Sequence, residues 1–366
     1  MTEYKFGDRV EDERIDGLRY ASVCDGIGAA HVAWQPLGWQ CAWTSEIEPF
    51  TMEVVEQRWG FPNLGDMTRI TDEQLERHAP IDILVGGTPC QSFSVAGLRK
   101  GLADPRGNLA LVYLGLVERT QPQWVVWENV PGVLSSGRGR DFGAFLGALG
   151  QLGYGFAYRV LDAQYVRTNA HPRAICQPRR RVFCVGHRGG DWTRPAAVLS
   201  EPPCGGRHHP ADQRQDNKEK CWWNGLQLTQ TLDAVLHKGQ MMPEKKRFPV
   251  IWDGRGLCSR ASATKTVIAQ YAEWTTASAD VLDLLRTKSM STAKQMESSG
   301  RGVFRRMIPM EIERAFGFPD DYTAIEYRGK PAADSPRYKV LGNSMAVNVM
   351  SWIGQRIDQQ EVTDAQ

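Results

Sequence analysis

The first half of the chain alternates short, β-branched apolar runs with longer segments in which apolar residues recur at helical spacing. The short runs predict buried strands, and the longer segments predict amphipathic helices. The predicted strands span residues 19–24, 40–45, 81–85, 123–127, 156–161 and 182–186. The first predicted helix ends near residue 37, and the others span residues 50–59, 109–119 and 141–152. Strands that alternate with helices predict an α/β fold built on an open sheet.

The alternation stops between residues 188 and 303, and helical patterns return after that region. Residues 306–319 carry a proline near the start and end in Gly317-Phe318-Pro319, which predicts a helix with a sharp stop. Residues 338–347 then predict the opening of a final helix that reaches residue 355 or beyond. Within that stretch, residues 341–344 are expected to form its turn and N-cap.

A glycine-rich loop follows the third predicted strand and ends in a cysteine, as Gly86-Gly87-Thr88-Pro89-Cys90. The two glycines allow the backbone to turn and to approach a ligand, and Pro89 fixes φ just before the cysteine. Cys90 is thus expected at the carboxyl end of a strand, where open α/β sheets bind their ligands. A thiol placed there can act as a covalent nucleophile if its pKa is lowered. The alternative is a buried cysteine on a tight turn.

Glycines and acidic residues mark the carboxyl ends of the other predicted strands. Gly26 and Gly28 follow the first strand and lead into a helix, which is the start of a nucleotide-type site. Glu46 ends the second strand, where it can accept hydrogen bonds from ribose hydroxyls, although a helix N-terminus also favours an acid. Asp66 is a candidate acceptor for an adenine amino group or, alternatively, a turn residue. Glu128 ends the strand after the cysteine loop, so an acid and a nucleophile are expected on the same rim of the sheet.

Three polar residues alternate in the segment that leads into the last predicted strand. Gln177, Arg179 and Arg181 share one face if the segment is extended. We expect that face to point toward an anionic or carboxylate-bearing site. The alternative is a basic edge that only blunts aggregation.

Composition and charge narrow the class of protein. The chain has 366 residues and a net charge of +2, with the Gly, Pro and apolar contents of a soluble globular protein. Residues 188–306 carry 19 Lys and Arg against 12 Asp and Glu, an excess of +7 that leaves −5 on the remainder. A basic segment with interleaved tryptophans suits contact with a nucleic acid. An unevenly charged solvated surface is an equal alternative.

Apolar runs, the N-terminal residues and the cysteine spacing indicate a cellular compartment and exclude a membrane-spanning protein. No apolar run is long enough to span a bilayer, and the charged residues 1–17 do not form a signal peptide. Eight cysteines without paired spacing suit a reducing cytoplasm. Cys204, His208, His209 and Cys221 match no strong zinc signature, so we predict no metal site.

Taken together, these motifs resemble the C5-cytosine-specific DNA methyltransferase family, of bacterial or bacteriophage type. The resemblance covers about residues 18–357 in the family's ordinary motif order. Its pieces are Pro89-Cys90-Gln91 with Phe93-Ser94, then Glu128-Asn129-Val130, the QxRxR pattern at Gln177, Arg179 and Arg181, Arg306 through Pro319, and Gly342-Asn343-Ser344. Each piece is weak alone, and the ordered set is very specific.

The resemblance implies a Rossmann-like methyltransferase sheet plus a small, irregular target-recognition domain. The catalytic domain would span residues 18–188 and the target-recognition domain residues 189–325. Residues 326–366 would return to the catalytic domain beside the cofactor. The implied cofactor is S-adenosylmethionine. Its implied contacts are Cys24, Gly26, Ile27, Gly28, Glu46, Ile47, Asp66, Met67, Gly87, Pro89, Leu109, Asn343, Ser344 and Met345.

The implied reaction makes 5-methylcytosine in a specific duplex DNA sequence. The Cys90 thiolate would attack C6 of a flipped-out cytosine, and Glu128 would protonate or hydrogen-bond N3. Arg179 and Arg181 would orient Glu128 and hold the carbonyl and a nearby phosphate. The implied contacts with DNA or cytosine are Gln91, Ser94, Asn129 and Gln177. The expected partner is double-stranded DNA, with or without a cognate restriction endonuclease, and we expect a cytoplasmic monomer in a bacterial host.

The chain departs from the family pattern at several positions. Cys24 stands where an aromatic residue is frequent, Asp25 where a small residue is common, and Asn348 where a proline is common. Further departures are Ala29 for a second glycine, Ile47 for an aromatic residue, Ala315-Phe316 for Leu-Gln, and a longer segment over residues 166–176. Two alternatives stay open: a tRNA cytosine-C5 methyltransferase of the same family, and a non-catalytic DNA-binding relative.

Overall fold

A six-stranded sheet lies at the centre of the protein in a computed structural model that describes residues 17–89, 109–169, 175, 179–200 and 308–364. Its strands are β1 (Arg19–Val23), β2 (Gln40–Ser45), β3 (Ile83–Gly86), β4 (Trp124–Asn129), β5 (Tyr154–Asp162) and β6 (Arg180–Arg188). The strand order is β2-β1-β3-β4-β6-β5. A small separate hairpin joins β7 (Glu326–Tyr327) to β8 (Lys330–Pro331).

The sheet is parallel except at one strand in the described part. Strands β1 to β4 pair in parallel, whereas β6 lies between β4 and β5 and runs antiparallel to both. The predicted α/β fold is therefore confirmed. The reversal of β6 was not predicted, because an apolar run indicates a buried strand and carries no information about its direction.

Helices cover both faces of the sheet. They are α1 (Ala29–Trp34), α2 (Pro49–Trp59), α3 (Asp72–Arg77), α4 (Leu109–Thr120), α5 (Arg140–Gln151), α6 (Thr193–Leu199), α7 (Pro309–Phe316), α8 (Asp334–Asn343) and α9 (Val347–Asp364). One core joins α1, α2 and α6 through α9 to Ile83 and Val85, and a second joins α3 through α5 to Leu84. Alternate residues of β3 thus enter different cores, as the two faces of a pleated strand require.

The last helix packs closely on the first. The Trp34 indole Nε1 donates to the Met350 carbonyl at 2.9 Å. A Cβ at Gly354 would lie 2.4 Å from Trp34 Nε1, so only glycine allows this approach of α9 to α1. The C-terminal segment therefore returns to the start of the chain, beside the first glycine turn.

Several predicted boundaries differ from the structure. Residues 193–199 form a helix inside the region that was predicted to be irregular, and residues 338–343 belong to α8. The predicted turn at residues 341–344 is therefore displaced to the break between Asn343 and Val347. The buried side chains of Tyr338, Val340 and Leu341 pack into the core, so tertiary contacts favour the helix there. The predicted stop at Gly317, which has φ 85°, is confirmed.

The proposed target-recognition domain falls mostly outside the described residues, because residues 201–307 are not among them. Its boundaries stay a prediction, and Cys204, His208, His209 and Cys221 also lie outside the described residues. In the described ranges, no helix combines the length and the apolar character that a membrane span needs.

Candidate active site at the carboxyl edge of the sheet

The carboxyl ends of the parallel strands meet along one edge of the sheet. Val23 of β1 pairs with Ser45 of β2 and with Gly86 of β3, and Gly86 pairs with Trp127 of β4. The next residues along these strands are therefore neighbours at the edge. This pairing brings together the glycine turn, Glu46, Gly87 and Glu128, as the sequence predicted for strand ends.

Glu128 and Arg181 form an ion pair at this edge. Arg181 Nε lies 3.1 Å from Glu128 Oε1, and the two side chains are 18% and 12% exposed. The contact follows from the antiparallel pairing of β4 with β6, in which Glu128 faces Phe183 and Arg181 is two residues away. The pair depends on the reversed strand, because a parallel β6 would place its first residues at the opposite edge.

Burial raises the pKa of Glu128, and the positive charges of Arg181 and then Arg179 oppose that rise. A carboxyl group whose pKa is raised holds its proton to higher pH and can donate it to a ring nitrogen. A Cβ at Gly87 would lie 3.2 Å from Glu128 Oε2 and 3.4 Å from Met345 Cε. Gly87 therefore keeps the space over the second carboxyl oxygen open.

Hydrogen bonds from β4 fix the segment that ends at Pro89. Trp127 Nε1 donates to Thr88 Oγ1 at 3.0 Å, and Asn129 Nδ2 donates to the Thr88 carbonyl at 2.9 Å. Asn129 is buried, and its Oδ1 accepts from the Val130 N–H at 2.9 Å. The structure thus gives the Asn129 side chain a supporting position beside Thr88, and its contact with cytosine stays a prediction. Cys90, Gln91 and Ser94 lie outside the described residues.

Arg179 has different partners from Arg181. Its guanidinium donates to the carbonyls of Gly342 and Ser344 at 3.2 and 2.5 Å and lies 4.8 Å from the ring centroid of Phe316. The side chain is buried. The two arginines were predicted to share the task of orienting Glu128; the structure pairs Arg181 with it directly, and the charge of Arg179 also lowers the pKa of Glu128. Gln177 lies outside the described residues.

The predicted cofactor turn is a left-handed loop held by Glu46. Cys24, Gly26 and Gly28 have φ of 49°, 59° and 76°. Gly26 N–H donates to Glu46 Oε2 at 2.9 Å, and the N–H groups of Ile47 and Glu48 donate to Oε1 at 2.8 and 2.9 Å. Glu46 therefore joins the end of β2 to the turn after β1. Ile47 is 68% exposed, which leaves an apolar side chain free beside this carboxylate.

Cys24, Met67 and Asp66 lie close together at the turn. Cys24 Sγ is 3.6 Å from Met67 Sδ, and burial raises the pKa of the Cys24 thiol to about 12. Asp66 Oδ1 accepts from the Thr68 N–H at 2.9 Å and from Thr68 Oγ1 at 2.8 Å, and these bonds lower the pKa of its carboxyl. Asp66 Oδ1 therefore forms the hydrogen bonds of a turn residue, which was the alternative interpretation of this position. The Asp66 side chain is still 40% exposed.

The remaining predicted cofactor residues lie at helix ends. Leu109 is the first residue of α4, and Asn343 is the exposed last residue of α8. Ser344 and Met345 are buried in the break before α9, where Ser344 Oγ donates to the Met345 carbonyl at 3.0 Å. Ile27 is buried beneath the turn, and its carbonyl accepts from the Tyr322 hydroxyl at 2.8 Å.

Sequence reasoning missed the side chains that support the cofactor turn from below. Asp25 is buried and contacts both Ser22 and His31. The available signal was the acid at a position where the family commonly has a small residue. Tyr322 was missed because it lies almost 300 residues away in sequence, and only folding brings it to Ile27.

The fold and this edge define a methyltransferase-type α/β protein. The solved structure of the S. pombe Dnmt2 methyltransferase superposes with a TM-score of 0.57 at 18% identity, over 94% of this chain and 99% of that one. At such low identity the likeness shows the fold alone.

A profile of the C-5 cytosine-specific DNA methylase family matches residues 18–359. The protein belongs to this family, as the order of its motifs predicted. Type II methyltransferase M.HhaI of Haemophilus parahaemolyticus is 25% identical over 95% of this chain and 96% of the relative.

A relative from Escherichia phage P1, named DNA N-6-adenine-methyltransferase, is 32% identical over 93% of this chain and 61% of the relative. The chain therefore spans about three fifths of that relative's length. The name of that relative specifies adenine, which differs from the family assignment, and a direct test of the modified base is described below.

Proposed function

We propose that this protein transfers a methyl group from S-adenosylmethionine to C5 of a cytosine in duplex DNA. The observation that supports the proposal most strongly is the position of Glu128. It is a buried carboxyl group with a raised pKa beside Arg181 and Gly87, at the edge where the segment preceding Cys90 ends.

The chemistry needs both a thiol and an acid. C5 of cytosine is a poor nucleophile while the ring is aromatic. Addition of the Cys90 thiolate to C6 breaks aromaticity and makes C5 enamine-like, while a proton from Glu128 to N3 neutralises the charge that builds on the ring. After C5 has gained the methyl group, a base removes the C5 proton, the thiolate leaves as the C5–C6 double bond forms again, and the N3 proton returns to Glu128. Arg181 holds the Glu128 carboxyl in place throughout.

The residues at the first glycine turn fit S-adenosylmethionine. Glu46 and Asp66 are partly exposed carboxylates that can accept from ribose hydroxyls and an amino group, and Ile47 offers an exposed apolar surface to a flat ring. A Cβ at Gly26 would meet no atom within 4 Å, so the turn has open space before it. When bound, the cofactor supplies an electrophilic methyl group.

The proposed substrate is double-stranded DNA with the target base flipped out, because C5 and C6 cannot be reached inside a base-paired stack. The excess charge of +7 over residues 188–306 supports a contact with the phosphate backbone. Bacterial and phage DNA methyltransferases among the relatives support the same class of substrate.

A second candidate is methylation of the adenine amino group, which the name of the phage P1 relative favours. An exocyclic amine carries its own lone pair and does not need covalent activation by a thiolate. The two candidates are separated by expressing the protein in bacteria that lack DNA methylation and measuring methylated nucleosides by mass spectrometry. We expect 5-methylcytosine in DNA; N6-methyladenine alone would contradict the proposal, and 5-methylcytosine confined to tRNA would favour the tRNA alternative.

The covalent step is tested with duplex DNA that carries 5-fluorocytosine. Fluorine cannot leave as a cation, so the reaction should stop as a protein–DNA adduct that survives boiling in detergent and needs S-adenosylmethionine. Cys90→Ser should abolish the adduct, because a serine hydroxyl is far less ionised than a thiol. Cys24→Ser is the matched control at saturating cofactor, since Cys24 lies at the same edge with a thiol pKa of about 12. An adduct mapped to any cysteine other than Cys90 would refute the mechanism.

A further inference from the structure

Four side chains form a buried chain of hydrogen bonds beneath the first glycine turn. Asp25 Oδ1 accepts from the Ser22 hydroxyl, and Asp25 Oδ2 lies 2.9 Å from His31 Nε2. His31 Nδ1 lies 2.8 Å from the Tyr20 hydroxyl. All four residues are at most 4% exposed, so no water competes for these bonds. Because Nε2 faces a carboxylate oxygen, we assign the N–H to this nitrogen as the donor of the hydrogen bond to Asp25.

The histidine ring also forms the floor of the turn. A Cβ at Gly28 would lie 2.5 Å from His31 Cδ2, so the glycine backbone rests directly on the ring. Phe61 and Trp59 pack edge-on against the same ring at 4.9 and 5.8 Å between centroids. The ring therefore has little freedom to shift without moving Gly28.

The turn needs such support because its backbone is not a low-energy one. Cys24 has a side chain but adopts φ 49°, which costs free energy for any residue other than glycine. The next residue is Asp25, and its carboxylate connects this strained point to β1 through Ser22 and to α1 through His31. Deleting the carboxylate would leave the His31 N–H buried without its acceptor and would release the turn.

We propose that Asp25 and His31 are positioning residues that hold the Gly26–Gly28 backbone in the conformation that receives S-adenosylmethionine. The proposal rests on the proposed function, because it assumes that this turn binds the cofactor. Neither residue touches the reacting atoms, so their loss should weaken cofactor binding and leave the chemical step largely intact.

The test compares Asp25→Ala with Asp25→Asn in the full-length protein. Asp25→Ala removes both hydrogen bonds, and we expect the Kd and KM for S-adenosylmethionine to rise about tenfold or more. Asp25→Asn keeps the shape and one acceptor for His31, and we expect it to restore affinity to within about threefold of the wild type. The kcat at saturating cofactor and the KM for DNA should stay within about threefold in both variants.

His31→Phe is the second variant, and it keeps an aromatic ring under Gly28 while it removes the bond to Asp25. We expect a similar tenfold loss of affinity, and we expect the double variant Asp25→Ala/His31→Phe to lose little more than either single variant. If the two residues acted independently, the increases in Kd of the two single variants would multiply in the double variant. A purely structural role would lower the amount of folded protein, as seen in the melting temperature, without changing the KM of the molecules that fold.

The outcomes separate this inference from the function on which it rests. Wild-type protein that binds no S-adenosylmethionine by calorimetry would overturn the proposed function and the inference together. Wild-type protein that binds it, with Asp25→Ala and His31→Phe binding equally well, would overturn the inference alone. A rise in Kd for both variants with rescue by Asp25→Asn supports it.

Discussion

Glu128 pairs with Arg181 at the carboxyl edge of the sheet, and Glu313 pairs with Arg337 between α7 and α8. Glu313 Oε1 accepts from the Thr323 N–H at 2.9 Å, from the Thr323 hydroxyl, and from Arg337 at 3.1 Å. Arg337 Nε in turn donates to Thr323 Oγ1 at 2.9 Å, and the Glu313 side chain is fully buried.

The glutamate of the first pair has fewer donors around it. Among the described residues, Glu128 contacts one arginine side chain, and its second oxygen faces the space that Gly87 leaves open. Burial consequently raises the pKa of Glu128. Glu313 thus joins elements of the fold through one oxygen that accepts three hydrogen bonds, and its second oxygen is enclosed. Glu128 differs because its second oxygen faces open space, where it is available for proton transfer.

The largest expected effect is a loss of kcat when Glu128 is replaced, which replacement of Glu313 should not cause. Glu128→Gln removes the proton donor, so we expect kcat to fall by about 10²–10⁴-fold. The Kd for S-adenosylmethionine and the melting temperature should change little, because the amide fits the same space. The measurement is single-turnover methylation of duplex DNA together with calorimetric cofactor binding. Turnover close to that of the wild type would remove Glu128 from the mechanism.

The second expected effect is a loss in the free energy of unfolding when Glu313 is replaced, which replacement of Glu128 should not cause. Glu313→Ala removes the nearest carboxylate of Arg337 and leaves the longer contacts with Asp321 and Asp334 at 3.8 Å. Breaking a buried ion pair in this way typically costs about 3–5 kcal/mol. We expect that loss in the free energy of unfolding from chemical denaturation, with kcat per folded molecule within a few fold of the wild type. An equal loss of stability in Glu128→Gln would show that the two pairs do not differ in the proposed way.

A third prediction concerns pH. The folded-state pKa of Glu128 is raised, so the folded protein keeps its proton over a window in which the unfolded chain has lost it. The free energy of unfolding therefore falls as pH rises from the ordinary carboxyl pKa through the raised one. Glu128→Gln lacks this loss, so its stability relative to the wild type should increase across the same window.

The activity should follow the same titration, with kcat falling as pH rises through the raised pKa, since only the protonated acid donates to N3. Denaturation curves and rates over a pH series measure both effects. A stability difference between Glu128→Gln and the wild type that does not vary with pH would contradict the assignment.

The smallest expected effects come from a matched exchange of arginine for lysine. Arg181→Lys keeps the positive charge but loses the planar guanidinium, so we expect kcat to fall about tenfold with little change in stability. Arg337→Lys loses its contact with Thr323, and we expect about 1 kcal/mol of stability to be lost with kcat unchanged. A reversal of these two outcomes would contradict the proposed difference between the Glu128–Arg181 and Glu313–Arg337 pairs.

Much of the sheet could be predicted from local pattern. Strand β2 has the predicted bounds, residues 40–45, and the helices before and after it begin or end within a few residues of their predicted positions. The edge that carries the glycine turn, Glu46, Gly87 and Glu128 was also expected. These features are local, because strand periodicity, glycine turns and strand-end residues are set by neighbours in sequence.

The partners of the buried polar side chains could not be predicted in the same way. The QxRxR pattern indicates that Arg179 and Arg181 belong together, yet one contacts Glu128 and the other contacts Gly342 and Ser344. Asp25 was visible only as a departure from the family, and its bond to His31 was not foreseen. The arginine contacts depend on which elements become neighbours after folding, and the Asp25–His31 bond depends on the exact geometry of the turn between β1 and α1.

The sequence by itself determined the class of fold, the family and the edge of the sheet where acid and glycine turns meet, because short motifs encode them. The tertiary structure alone decided that β6 is reversed, that Arg181 therefore reaches Glu128, and that the Tyr322 hydroxyl reaches the Ile27 carbonyl. The physical reason is that buried polar groups must find partners wherever packing brings them together, and packing joins residues that are far apart in sequence.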